Sequence, residues 1–431
     1  MSGLMGSLHT ASAGMRANQN VIQTINHNIN NLNTPGYSRQ RAELVTNAPY
    51  ARPGRTSAPT YAGQLGQGAS VASITRIRNS FYDHQYRSEA HSYGNVAIKV
   101  EHFANIENIF NEPSDTSIST SLNGLFNSFN ELSKNPNSTS AKKHVIENAQ
   151  LLTNSLNQVI QKLDSLKDNI SSQEEGMLRD VNNILKELEL LNKDIKIVEA
   201  TGQNPNDLLD RRDNLIDELS FKLNINNTDV QDALSDGELT SEELANLDVS
   251  GELQAVKDMQ NEVDNVLEKV TTLMNSIANE VNNIYKNDET APDTKDFFVI
   301  GEDANGLPTI SVNQDFVDDA TSLVMSSDKA LALSDLKDTK VTIDGQELTL
   351  NDFYNDTVQE IGYSSQEVAR EEQNRRSFML NIENQKASIS GVSLDEEMIS
   401  LMQFQHAYNA TAKVAATIDS LLDVVINGLI R

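Results

Sequence analysis

The seven histidines His9, His27, His84, His91, His102, His144 and His406 are the natural candidates for proton transfer or metal ligation in this 431-residue chain. None falls in the HExxH pattern that sets two zinc ligands on one helix face, and none has a GxSxG nucleophile elbow beside it. His9 and His27 lie in a segment of helical periodicity, where packing or a solvated face accounts for them. The chain has no cysteine, which removes disulfides, thiolate nucleophiles and cysteine-based zinc sites together. Gly63, Gly66 and Gly68 have the wrong spacing for a phosphate loop, and no P-loop lysine follows them. The segment from Asp232 to Glu243 resembles a calcium loop, with Asp at positions one and five, Gly237 at six and Glu at twelve. Position three is Leu234, which offers no side-chain oxygen, so the segment reads as an acidic turn with Thr240 and Glu243 boxing a helix start. The expectation is therefore no catalytic residue, no cofactor and no metal.

With little chemistry to position, the composition points elsewhere. The chain carries 34 Lys and Arg against 62 Asp and Glu, a net charge of −28, which disfavours nucleic acid and anionic lipid as partners. No run approaches the ~18 apolar residues of a membrane span, and no basic segment followed by an apolar core marks a cleaved signal. The charge is uneven: residues 1–100 hold eight Arg and Lys99 against Glu43, Asp83 and Glu89. A basic end on an acidic body is expected either to meet something other than bulk water or to reflect a chance excess of Arg beside a solvated acidic surface.

Both ends share one pattern. Leu4, Leu8, Ala11, Met15, Asn18, Ile22, Ile25, Ile29 and Leu32 alternate by fours and threes, and so do Leu401, Phe404, Tyr408, Thr411, Ala415, Ile418, Leu422, Val425 and Leu429. A 3.5-residue repeat is a coiled-coil seam, because it keeps one stripe facing a partner helix. Leu4, Leu8, Met15, Ile22, Ile25, Ile29 and Leu32, with Leu401, Phe404, Tyr408, Ile418, Leu422, Val425 and Leu429, are the predicted subunit-interface residues. The first helix stops at Asn30–Gly36, where Pro35 disfavours helix before it. Residues 37–79, rich in Pro and Gly, read as an extended arm with strands near Arg41–Thr46 and Val71–Ile77. Helical stripes return at Val145–Ile170, at Val181–Val198 beyond a break at Gly176, and at Val256–Ile284. A further helix over 357–390 has its stripe diluted by Ser365, Glu372 and Arg375. Strand signals cluster between 296 and 350, including a hairpin around Asp344-Gly345.

The expected fold is mainly α: an elongated bundle of long antiparallel helices, terminal helices paired as a coiled coil, a β-containing arm and a small α+β insert. The expected division is 1–36 with 394–431 as a terminal coiled-coil domain, and 37–225, 253–290 and 355–393 as the helical body with its arm. Residues 226–252 and 291–354 would form a small outer lobe.

The stretch Asn30–Gln40, with Asn33, Thr34, Pro35, Gly36, Tyr37, Ser38 and Arg39 at its centre, resembles the N-terminal signature of bacterial flagellar axial proteins. The ending Tyr37-Ser-Arg-Gln40 is similar to the hook–filament junction branch of that family. Ser390–Met398, Gln405, Ala407-Tyr408, Ala412–Val414 and Asp419 resemble the family's C-terminus, and Asn206–Asp213 and Asp296–Gly301 resemble internal motifs of the branch. The resemblance implies a secreted structural subunit of the bacterial flagellum, exported unfolded by the flagellar type III system, in which a cysteine-free chain has no disulfide to obstruct passage. It implies self-association in a helical ring between the hook protein and a second hook–filament junction protein, help from a flagellar export chaperone, and neither nucleic-acid binding nor membrane insertion. The alternatives are another flagellar axial subunit (hook, rod or second junction protein) or a non-flagellar coiled-coil interaction protein.

Overall fold

The computed structural model describes residues 2–48, 66–112, 114, 117–226, 250–286 and 295–427. The calcium-like segment Asp232–Glu243, Gly63 and the seam residue Leu429 lie outside the described residues.

Four long helices make the body. Helix α1 spans Ser2–Asn30, the strands β1 (Gln40–Thr46) and β2 (Ala69–Arg76) follow, and the body begins with α2 (Ser80–Phe110). Then come α3 (Ile118–Lys134), α4 (Thr139–Ala200), α5 (Asn206–Lys222) and α6 (Gly251–Lys286). A lobe holds β3 (Phe298–Glu302), β4 (Pro308–Val312), α7 (Gln314–Asp318), α8 (Ser327–Asp335), β5 (Val341–Ile343) and β6 (Gln346–Leu348). Helix α9 (Leu350–Ser390) returns along the body to the last helix, α10 (Leu394–Asn427). No described helix is long and apolar enough to cross a membrane.

The helix starts are chemically marked. Ser117, Ser138 and Thr349 precede α3, α4 and α9, and each side-chain oxygen accepts the N–H three residues on, a cap that contributes about 1 kcal/mol. The body's main core is built from the buried stripes of α3, α4 and α6, joined by Phe103, Ile106 and Phe110 of α2 and by Leu350, Tyr354 and Ile361 of α9. The lobe packs Phe297, Phe298, Ile310 and Phe316 onto the same core. A second, smaller core holds Val181 and Ile184 of α4, Leu219 and Leu223 at the end of α5, and Leu253 of α6.

The expected hairpin at Asp344-Gly345 is present. Ile343 pairs with Gln346 across a two-residue loop, and both loop residues have positive φ, 49° and 75°, as the tight hairpin turn requires. The arm is an antiparallel ribbon from Gln40↔Arg76 to Thr46↔Ala69, with a bulge between Glu43 and Leu44. It lies on α1, where Gly68 approaches Thr10 and Ala13.

Two expectations change. Gly176 does not break its helix: α4 runs 62 residues through it, about 93 Å. One glycine costs about 1 kcal/mol, less than leaving two further helix ends with unmet backbone groups. The bundle is also not wholly antiparallel. Asn95 bonds Gly251 and Lys99 pairs with Asp258, so α2 and α6 run in the same direction, because α4 travels back the length of the body between them.

Candidate functional site

Helices α1 and α10 pack together along their length, and α10 contacts no other described element to a comparable extent. Gly14 lies against Thr411, which lets the two backbones approach. Along α1, Ala11 and Ile25 are buried, while Leu4, Leu8, Met15, Asn18, Ile22 and Ile29 are half-buried, as is Leu32 in the turn that follows. Along α10, Ile418 and Leu422 are buried, and Leu401, Phe404, Tyr408, Thr411, Ala415 and Val425 are half-buried. The structure thus places all described seam residues on the less exposed sides of the two helices, with most of them only partly covered.

A second stripe on α10 stands exposed. Ile399 (62 % exposed), Met402 (51 %), Val414 (52 %), Leu421 (48 %) and Val424 (62 %) follow helical spacing on a face away from the buried Ile418 and Leu422. Of the 34 residues of α10, only Glu397, Ile418 and Leu422 are buried. Helix α1 differs: beyond its first turns the exposed positions, Arg16, Gln19, Asn20, Gln23 and Asn26, are polar. Its other buried residues, Ala17, Val21, Thr24 and Asn28, sit one step from the seam. Val21, Thr24 and Ile25 line a cavity of about 310 Å³ with Arg39–Ala42 of the arm and Glu397 and Phe404 of α10.

The pair is fastened to the body by a buried polar anchor in which the separate sequence motifs meet. Asn28 is 1 % exposed. Its amide nitrogen donates to the Gln40 carbonyl at 2.9 Å and to Glu397 at 3.0 Å. Its amide oxygen accepts from the Tyr37 hydroxyl at 2.7 Å and from the Gln40 N–H at 2.9 Å. Glu397, in the first turn of α10, also accepts from Arg39 Nε at 2.7 Å, and Arg39 Nη1 donates to Glu396 at 2.9 Å. Two carboxylates at a helix N-terminus also suit its dipole. The Arg39 N–H donates to the Ser390 carbonyl, and Ser38 N–H donates to Asp210 of α5. Burial, then the nearby carboxylates Asp207, Asp210 and Glu397, push the Tyr37 phenol well above its usual range, so it stays a hydroxyl donor.

Beside this anchor, four acids and four bases interlock with side chains no more than 20 % exposed. Arg76 pairs with Asp210 (2.9 Å) and Asp213 (2.6 Å), and Arg78 with Asp83 (2.6 Å). Arg87 and Lys386 both reach Asp217 at 2.6 Å. The group ties β2 and the following loop to α2, α5 and α9. Burial, the largest influence on Asp213, would raise its carboxyl, but Arg78 and Arg76 outweigh it and hold the group below the usual range. The stability this adds is full above the unfolded value of about 3.9 and is lost as pH falls through the lower folded value. Asp213→Asn should therefore cost about 3 kcal/mol at pH 7, and the gap in thermal midpoint from the parent should close below about pH 3.9. A gap independent of pH would contradict this assignment.

Gly36 is fixed by conformation. Its φ is +72°, and an added Cβ would fall within 2.3 Å of the Asn214 side chain. Gly36→Ala should lose about 1–2 kcal/mol from the left-handed backbone alone. Adding Asn214→Ala should recover the steric part and not this one, as urea unfolding of the two variants would show.

Asn33, Thr34 and Pro35 stay exposed at the turn, whereas Tyr37, Ser38 and Arg39 enter the anchor. Asn28, Arg76, Arg78, Arg87, Asp217 and Lys386 were not singled out by sequence. The signal within reach was a polar residue on the apolar side of α1, and an Arg excess facing an acid-rich motif. The basic excess of residues 1–100 is spent in part within the chain, on Asp210, Asp213, Asp217 and Glu397.

The family model described as "Flagellar hook-associated protein FlgK helical domain" matches residues 103–239, and "Flagellar basal body rod FlgEFG protein C-terminal" matches residues 384–428. The chain is 29 % identical over 507 aligned positions to flagellar hook-associated protein 1 of Bacillus subtilis (strain 168), covering 100 % of this chain and 99 % of the relative. It is 22 % identical to the protein of the same name from Escherichia coli (strain K12), over 97 % of this chain and 99 % of that one. Among solved structures, the flagellar hook junction protein FlgK from Burkholderia pseudomallei shares the fold with a TM-score of 0.53 at 13 % identity. That likeness covers 71 % of this chain and 100 % of the other.

Proposed function

The chain belongs to the flagellar hook-associated protein family, and from that premise we propose that it is a structural subunit of the junction between hook and filament. The observation that carries the mechanism is the second apolar stripe of α10. Ile399, Met402, Val414, Leu421 and Val424 stand exposed on a helix already paired with α1. Each such side chain gains up to about 1.5–3 kcal/mol when fully covered. Neighbouring copies supply that cover, and residues of the two seams, Leu4 to Leu32 and Leu401 to Leu429, form the shared interface of a ring.

On this reading residues 1–36 and 394–431 build the inner tube, the helical body stands outside it, and the lobe around 291–354 is a reduced outer domain. The subunit is exported unfolded, is met by an export chaperone, and docks on hook protein below and a second junction protein above. It acts by assembly and not by catalysis, and it neither inserts in a membrane nor binds nucleic acid. Because seam positions such as Asn18, Thr411 and Ala415 bind weakly, the terminal pair is marginal until neighbours join.

The anchor gives the terminal pair a fixed seat on the body. Without it, α10 would hang from α9 by the short link after Ser390. Immunogold labelling of intact flagella tests the reading: a single band where hook meets filament is expected. Label along the whole filament, or confined to the cytoplasm, would overturn it.

A further inference from the structure

The two hydrophobic cores of the body do not join along α4. The main core ends at Ile170 and the smaller one begins at Val181, with only the partly buried Met177 touching both. Between them α4 contributes a polar layer, while Val256 and Met259 of α6 stay buried across the gap. Gln260 of α6 donates to Glu174 at 2.8 Å and sits 3.4 Å from Ser171. His102 of α2 is 4 % exposed and rests against Gln173.

Helix α9 holds the core only through the partly buried Val368 near this height. Between Ile361 and Met379 it has no buried residue, and it rides on α2 through Tyr93–Glu372 (3.3 Å) and Arg375–Glu89 (3.1 Å). The antiparallel register set by Tyr354–Glu112 and Glu372–Tyr93 brings Gly362 opposite Phe103, next to His102. The contact of His102 with Gln173 sets Gly176 level with about Lys99, so Gly176 and Gly362 sit on two helices about one helical turn apart along the bundle.

Neither glycine has a steric reason to be there. A Cβ on Gly176 would meet nothing nearer than Arg179 Nη2 at 3.9 Å, and one on Gly362 nothing within 4 Å. Gly94 shows the contrast, since a Cβ there would strike the Phe221 carbonyl at 2.6 Å. Both have serines close by, Ser171 and Ser172 on α4, and Ser364 and Ser365 on α9. Glycine with serine is a common composition at helix kinks.

We infer that the helical body contains a bending joint at this level, pivoting on Gly176 and Gly362 across the polar layer. The packed cores on either side move as units, because interdigitated apolar side chains resist shear. The polar layer can exchange hydrogen-bond partners as it flexes. In the flagellum such a joint would let one subunit shape fit neighbours on two differently built sides; that use rests on the assembly role proposed above, whereas the joint does not.

Bending transiently opens backbone bonds on the convex side, so amide hydrogen exchange of the full free chain reads it directly. Segments 172–180 and 360–368 should exchange at least about tenfold faster than 145–166 of α4 and 263–281 of α6. Gly176→Ala with Gly362→Ala, which fit without contact, should slow both segments about fivefold and leave the others unchanged. Uniform protection along α4 and α9 in the parent chain, or exchange unaltered by the two alanines, would overturn the joint. Because the free subunit is used, this outcome is separate from whether the chain enters flagella.

Discussion

Replacing Ile399, Val414 and Val424 by serine should leave the free subunit as stable as before while abolishing its incorporation into flagella. The three side chains are 62 %, 52 % and 62 % exposed, and substitutions at such positions usually fall within about ±0.5 kcal/mol each. They lie away from the α1 contact, so the helix pair itself loses nothing. In the assembled ring the same changes remove three apolar contacts per subunit, repeated at every copy, and set hydroxyls in a dry seam. Each lost contact costs up to about 1.5–3 kcal/mol, in proportion to the surface newly covered, so the interface loses several kcal/mol and subunits no longer accumulate at the junction. Thermal unfolding of the purified chain and immunoblotting of isolated flagella separate the two effects. Equal loss of stability and incorporation would mean that the stripe belongs to the fold of the single chain.

The largest effect on the folded chain is expected at Asn28. Its side-chain amide makes four hydrogen bonds of 2.7–3.0 Å, two of them to the backbone of Gln40 in the manner of a neighbouring strand. Asn28→Ala releases the Tyr37 hydroxyl and strands the Gln40 N–H and carbonyl and one oxygen of Glu397, the last three at about 1–3 kcal/mol each, for a total of at least about 3 kcal/mol. Asn28→Asp should be no better. It keeps the acceptor for Tyr37 and Gln40 but sets a second carboxylate against Glu397, which is only 2 % exposed. Urea unfolding would show the terminal helices melting before the body in both variants, and a single unshifted transition would contradict the role of the anchor.

The terminal helices were legible because their signal is local and periodic: a 3.5-residue stripe needs only the chain's own sequence to be seen. The hairpin at Asp344-Gly345 was legible for the same reason, since two residues suited to positive φ between alternating runs specify a turn. Helix α2 was not. The first half of its buried face is Asp83, Ala90 and Gly94, and an apolar stripe marks only the second half, at Val96, Phe103, Ile106 and Phe110. The anchor was hidden for a different reason. Its residues come from α1, the turn at Tyr37–Gln40, the end of β2, α5, α9 and α10, and no window of sequence contains more than two of those pieces. Motifs noted separately, Asn30–Gln40, Asn206–Asp213 and Ser390–Met398, prove to be faces of one buried network. The dilution of α9 by Ser365, Glu372 and Arg375, visible in the sequence as a weak stripe, is the place where that helix leaves the core.

The central claim is that α10 carries an apolar face kept for neighbouring copies. Amide exchange at residues 394–427, compared between the free subunit and intact isolated flagella, measures it most directly. At least about hundredfold slower exchange in the flagella is expected, reaching the stripe from Ile399 to Val424. Equal exchange in the two states would contradict the claim, because a face covered by neighbours cannot remain as open to solvent as one left bare.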